Sequence, residues 1–220
     1  MPQPTWKFLL NLSAAVAFFL SVPAIAGAQT DNVKLTKHDL SNSAATLGIT
    51  NYNQICVYCH TPHKGQTAAP LWNRSFGAGA YTMYNATNSA TMDMTVGATP
   101  GPVSKACLSC HDGTIGLDVI TNVPKETYTV VGTGLIKIPA ASLLTTDLTN
   151  DHPIAVTYDK SKDAAFNAIS SGKVGVLPLY GALKDQVECG TCHNVHNNTK
   201  VPFLRMANTN SALCLTCHIK

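Results

Sequence analysis

The chain has 220 residues, of which only 12% are charged, and a formal net charge of +3. The formal charge by itself supports no conclusion about nucleic acid or membranes, and no nucleic-acid partner is called for. The length allows one or two domains.

In chain order, the first segment reads as a targeting sequence. Lys7 is the only charge before an apolar run from Phe8 to Val22, and Pro23 and two A-x-A patterns ending at Ala26 and Ala28 follow. Residues 1–28 are therefore expected to be a secretory signal peptide, cut after Ala26 or Ala28. The run is interrupted by Asn11 and Ser13 and falls short of the ~20 apolar residues of a spanning helix, so no membrane span is expected after cleavage. The mature protein, residues 29–220, is expected to be one domain, exported to the cell surface or beyond, with the periplasm as the alternative.

Residues 29–55 are polar, contain His38, and offer one or two helical turns over Leu40–Thr50. Cys56–His60 then reads CVYCH. Residues 64–105 are rich in Gly, Ala, Thr, Asn and Met, with Pro70, Pro100 and Pro102, and read as loop. Cys107–His111 (CLSCH) runs into a turn at Asp112–Gly116. Thr127–Val131 and Leu135–Ile138, joined by Gly132-Thr133-Gly134, make a candidate β-hairpin. Asp163–Ser170 has the composition of a short helix stopped by Gly172. Cys189–His193 (CGTCH) and Cys214–His218 (CLTCH) complete the chain, and no internal repeat beyond this motif is visible. The expected fold class is mostly irregular, with few short helices and the one hairpin, organised around bound cofactor.

All eight cysteines lie in these four Cys-x-x-Cys-His motifs, which take four of the eight histidines. One CxxC alone is a thiol redox pair or half a zinc site. Four CxxCH motifs with no cysteine left over, in an exported chain, point to covalent c-type haem. The spacing lets two thiols reach two neighbouring porphyrin edges while the next residue comes under the iron. Cys56, Cys59, Cys107, Cys110, Cys189, Cys192, Cys214 and Cys217 are the expected attachment residues for four haem c. His60, His111, His193 and His218 are the expected proximal ligands. A chain this short cannot bury four such groups behind an ordinary core, so the haems themselves are expected to be the core.

The four remaining histidines, His38, His63, His152 and His196, match the four irons and are the expected distal ligands. His63 and His196 each stand three residues after a proximal histidine. They begin on the proximal side of their own haem, so they reach only a different haem alongside. His196 is expected at the haem of Cys214 and Cys217, and His63 at that of Cys107 and Cys110. His38 and His152 serve the other two, with His38, near the cut N-terminus, free to reach a neighbouring subunit. Met83, Met92, Met94 and Met206 are not needed as ligands and read as packing. Arg74 and Arg205 are candidates to pair with haem propionates, and Tyr58, Trp72, Phe76, Tyr81 and Tyr84 to pack on porphyrin.

With donors and irons in balance, no coordination position is left for a substrate. The chain is thus expected not to be an enzyme, and a multihaem reductase is the least favoured reading. A soluble monomeric periplasmic carrier is the alternative to a conducting assembly, although such carriers often dock through charge that this chain lacks.

The succession KHDLS, CVYCHTPHK, CLSCHDGT, DHPIAV, ECGTCHNVH and CLTCHIK resembles the extracellular tetrahaem nanowire cytochromes of metal-reducing bacteria, of the OmcE type. The likeness runs from His38 to the C-terminus. It implies a subunit that polymerises head to tail, with a continuous haem stack and one iron capped by a histidine of the adjacent subunit. By position that histidine is His38. Other redox proteins or extracellular acceptors are the implied partners.

Overall fold

Short polar and glycine-rich segments without hydrophobic periodicity cannot form long elements, and the structure, a computed structural model, has none. It describes Met1 and residues 33–34, 36–41, 54–67, 69–77, 79–123 and 136–219. The signal peptide, the helical turns beyond residue 41 and most of the candidate hairpin lie outside the described residues. Asp31–Lys220 forms one unit. No described helix is long and apolar enough to cross a membrane.

Three helices are short: α1 (Pro102–His111), α2 (Cys189–Cys192) and α3 (Ala212–Cys217). A turn of 3₁₀ helix covers Ile55–Tyr58. Helix α1 holds a whole CxxCH motif, α2 and α3 end at the second cysteine of theirs, and the 3₁₀ turn holds the first cysteine of the first motif. The start of α1 corrects the loop reading of residues 64–105: Pro102 takes the first helical position, where its missing N–H costs nothing. Four two-residue strands pair antiparallel, β1 (Val156–Thr157) with β4 (Gln186–Val187), and β2 (Lys173–Val174) with β3 (Leu177–Pro178). The fold is therefore mostly irregular, with a few short helices and two small antiparallel sheets.

The helix expected over Asp163–Ser170 does not form. The Asp163 carboxylate accepts the Ala165 N–H at 2.8 Å and closes a turn. The next residues are drawn into an antiparallel bridge between Phe166 and His218. Tertiary pairing overrides a modest local propensity here.

Apolar burial is divided among three small clusters rather than one core. Val57, Tyr58, Leu117 and Ile120 pack beneath the first two motifs, with Cys59 and Cys110 at their edge. Leu108, on α1, meets Met83, Leu148 and Ala155. Tyr158, Val174 and Leu179 support the last motif, with Phe166 and Cys217 against them. Each cluster is thus the backing of an attachment site.

Candidate haem-binding site

A helical turn explains the CxxCH spacing. In α1 positions i, i+3 and i+4 share one helix face, whereas His193 and His218 follow their helices in extended conformation. The turn closes on itself, with His60, His193 and His218 donating backbone N–H to Cys56, Cys189 and Cys214 at 2.7, 3.1 and 2.9 Å.

Three of these turns share a clamp that sequence reading missed. Beyond the motif, one residue of a second segment bridges the histidine antiparallel: Trp72 to His60, Leu204 to His193 and Phe166 to His218. The following residue, Asn73, Arg205 or Asn167, donates its N–H to the carbonyl of the motif's second cysteine at 2.8, 2.9 and 2.9 Å. Its side chain then donates to the carbonyl of the residue after the first cysteine. Asn73 Nδ2 reaches Val57 at 2.7 Å, Arg205 Nε reaches Gly190 at 2.6 Å, and Asn167 Nδ2 reaches Leu215 at 3.2 Å. None of the three donors was expected in this role: Arg205 was a propionate candidate, and Asn73 and Asn167 were assigned no binding role. Arg205 spends its guanidinium on Gly190 and the Tyr180 hydroxyl, and Arg74 spends its own on carbonyls, so neither is set for the propionate role expected of it.

The same segments fix the imidazoles. His60 Nδ1 lies 3.0 Å from the Pro70 carbonyl, and His193 Nδ1 3.0 Å from that of Pro202. His111 Nδ1 meets the Ser142 carbonyl at 2.8 Å, and His152 Nδ1 that of Pro153 at 3.0 Å. A carbonyl only accepts, so each Nδ1 carries the proton and each Nε2 presents a lone pair. This is how outer carbonyls orient metal-binding histidines. The sequence signal for two of them was present: Pro70-Leu71-Trp72-Asn73-Arg74 and Pro202-Phe203-Leu204-Arg205 are variants of one strap.

The distal histidines are placed differently from the expectation. His196 faces His60, ring centroids 6.1 Å apart and planes at 24°. His38 faces His111 at 6.2 Å. Two imidazoles each holding one metal ion at about 2 Å have centroids about 6 Å apart. Both pairs therefore have the span of axial ligands on a single iron. His196 meets the first motif rather than the fourth. His38 meets the second, which had been expected to take His63. His38 is held edge-on by Phe203 at 4.5 Å, and burial, with His111, His193 and His196 nearby, lowers its pKa to about 4. His63 and His152 are exposed, and no ring contact joins either to another histidine among the described residues. His218 packs against Phe166 at 4.8 Å.

The thiols form a row. Burial pushes Cys59 up to about 12, with Cys110 adding to it. Cys107 and Cys189 lie within hydrogen-bonding reach, a contact that raises the first and lowers the second. Burial raises Cys192, with Cys214 and Cys189 as further causes, and raises Cys217 to about 11. The four motifs thus neighbour one another in chain order. Redox-active CxxC pairs need depressed thiol pKa values, so most of these pairs are unsuited to thiol exchange. No group of three or more His, Cys, Asp or Glu able to hold a metal ion occurs among the described residues. Paired imidazoles together with paired thiols, most of them unsuited to exchange, fit covalent haem. A cavity of about 540 Å³ lined by Gln66, Phe76, Tyr81, Thr99 and Lys105 among others includes no motif cysteine.

Helices α1 and α2 are locked by a buried relay. The Cys189 N–H donates to Ser104 Oγ at 3.0 Å, and the Ser104 hydroxyl donates to Glu188. Glu188 is 2% exposed, and burial holds its carboxyl above the ordinary value. The folded state thus favours the protonated form, and the advantage is lost as pH rises through the raised value. Melting temperature should fall over that range, and Glu188→Gln should flatten the dependence in thermal melts taken at stepped pH.

Several of the methionine and aromatic side chains make contacts within the chain. Met83 is buried in the second cluster, and Met206 accepts from Thr216 at 3.2 Å. Tyr58 is fully enclosed, and Tyr81 donates to Asp112 at 2.7 Å.

The doubled CXXCH motif family matches residues 181–220, the stretch that holds the third and fourth motifs. No curated protein matches the chain. The matched motifs indicate covalently bound haem c, and they support a multihaem c-type cytochrome whose work is haem-bound electron transfer.

Proposed function

We propose that the chain carries four haem c, each with two axial histidines, and passes electrons along them as a subunit of an extracellular head-to-tail filament. The observation that carries the reading is the pair of facing imidazoles, His60 with His196 and His38 with His111, at single-iron span. Bound haem supplies one-electron chemistry at an iron that cycles between ferric and ferrous. The motif cysteines would attach it, and His60 with His196 and His38 with His111, where His60 and His111 are oriented through backbone carbonyls, would hold its iron and leave no place for a substrate. Bis-histidine ligation sets low potentials relative to His/Met sites.

The row of neighbouring motifs supports conduction from end to end. The outermost cysteines, Cys56 and Cys214, are exposed, as suits electron entry and exit at both ends. The resemblance to nanowire cytochromes and the low charge favour self-association. His38 stands against His111 of its own chain, which favours the exposed His63 or His152 over His38 as a link between copies. Intact mass and pyridine haemochrome assay should give four haems per mature chain, and a smaller number overturns the tetrahaem reading. Electron micrographs of the purified material should show filaments. Monodisperse particles at every concentration would overturn the filament and leave the periplasmic carrier.

A further inference from the structure

Arg74 is 0% exposed, the largest side chain so enclosed. Its guanidinium donates to the carbonyls of Leu117 at 3.0 Å, Gly116 at 2.6 Å and Ser109 at 3.5 Å. Its Nε is buried with no hydrogen-bond partner. No carboxylate bonds it among the described residues. A buried cation compensated only by carbonyl dipoles is costly, and chains keep one seldom without a reason.

Its position supplies the reason. Arg74 follows Asn73, whose N–H is bonded to the Cys59 carbonyl at 2.8 Å, and it bonds the carbonyl of Ser109, the residue before Cys110. The guanidinium therefore sits between the turns that carry the first two CxxCH motifs. The other charges on this turn are Asp112 and Asp118, both nearly fully buried. Asp112 is occupied by Thr114 at 2.8 Å and Tyr81 at 2.7 Å.

We propose that Arg74 is a tuning residue: its unpaired buried charge raises the reduction potentials of the haems at Cys56/Cys59 and Cys107/Cys110 above those of the other two. This rests on the tetrahaem reading. Each ferric centre gains one electron, with no proton transferred and no bond made or broken, and the fixed positive charge favours the state with the extra electron. At low dielectric such an interaction is not screened away. A gradient follows, with the first two centres as the electron-rich end.

The test is a mediated spectroelectrochemical titration of the holoprotein with dithionite, alongside haem content and low-spin signals. Haem content reports on the tetrahaem reading by itself. Arg74→Gln should lower the midpoints of two centres by at least a tenfold change in equilibrium constant, about 59 mV for a one-electron couple. Arg74→Lys, which keeps the charge and loses the fork, should titrate like the parent. Unchanged midpoints in a fully haem-loaded Arg74→Gln protein overturn the proposal. If that variant does not assemble, Arg74→Lys decides: parental midpoints support the charge, and lowered midpoints overturn it.

Discussion

Replacing His196 with alanine should turn one haem in four from low-spin to high-spin, and the haem affected should be the one at Cys56/Cys59. The basis is the His60–His196 pair, 6.1 Å apart and nearly parallel. Loss of one imidazole removes an axial ligand, the strongest lever that a protein has on haem iron. About a quarter of the low-spin absorption and EPR intensity should convert. The location is tested in a chain whose Cys56 and Cys59 are both alanine. There His196→Ala should add no further high-spin signal, as a shared partner makes two changes non-additive. A high-spin signal appearing in that background would place His196 on another iron.

The second large effect is expected at Asn73. Its side chain is fully buried. It bonds the Val57 carbonyl at 2.7 Å, the Asn122 carbonyl at 3.1 Å and the Asn122 N–H at 2.8 Å. Asn73→Leu keeps the approximate volume and removes all three. A buried group left without its partner costs about 1–3 kcal/mol. Together the loss should be about 3 kcal/mol, or about 6–12 °C in melting temperature for a chain of this size. The effect should exceed that of Asn167→Leu, whose site is more open to solvent. A melt unchanged within 2 °C would show that the clamp is not what holds the first turn (roughly the width of ~0.5 kcal/mol).

Covalent haem c was legible in the sequence, because CxxCH spacing is a local property of one turn of chain. The fold class was readable for a related reason: glycine-rich polar segments offer no periodicity for long elements. The distal pairings were not readable. Assigning His196 to the fourth motif and His63 to the second rested on closeness along the chain. In space the straps fold His196 onto His60 instead. The repeated clamp also escaped notice because its strap follows the first and third motifs but precedes the fourth. At Asp163–Ser170 the same strap cancelled a helix that composition favoured. The proton on Nδ1 of His60, His111 and His193 depends on carbonyls that no spacing rule identifies, though the two prolines hint at their straps.

The His60–His196 pair also bears on how such a protein is put together. The two partners come from the early and late parts of the chain, so the first site to leave the ribosome waits longest for its second ligand. Lengthening a connecting segment adds little to the entropy of closing it, as that cost grows only logarithmically. The delay is therefore one of order rather than of energy. If His60 and His196 share one iron, a chain truncated ahead of residue 196 would leave that centre half-ligated, and quality control that detects an open iron would also detect an unfinished polypeptide.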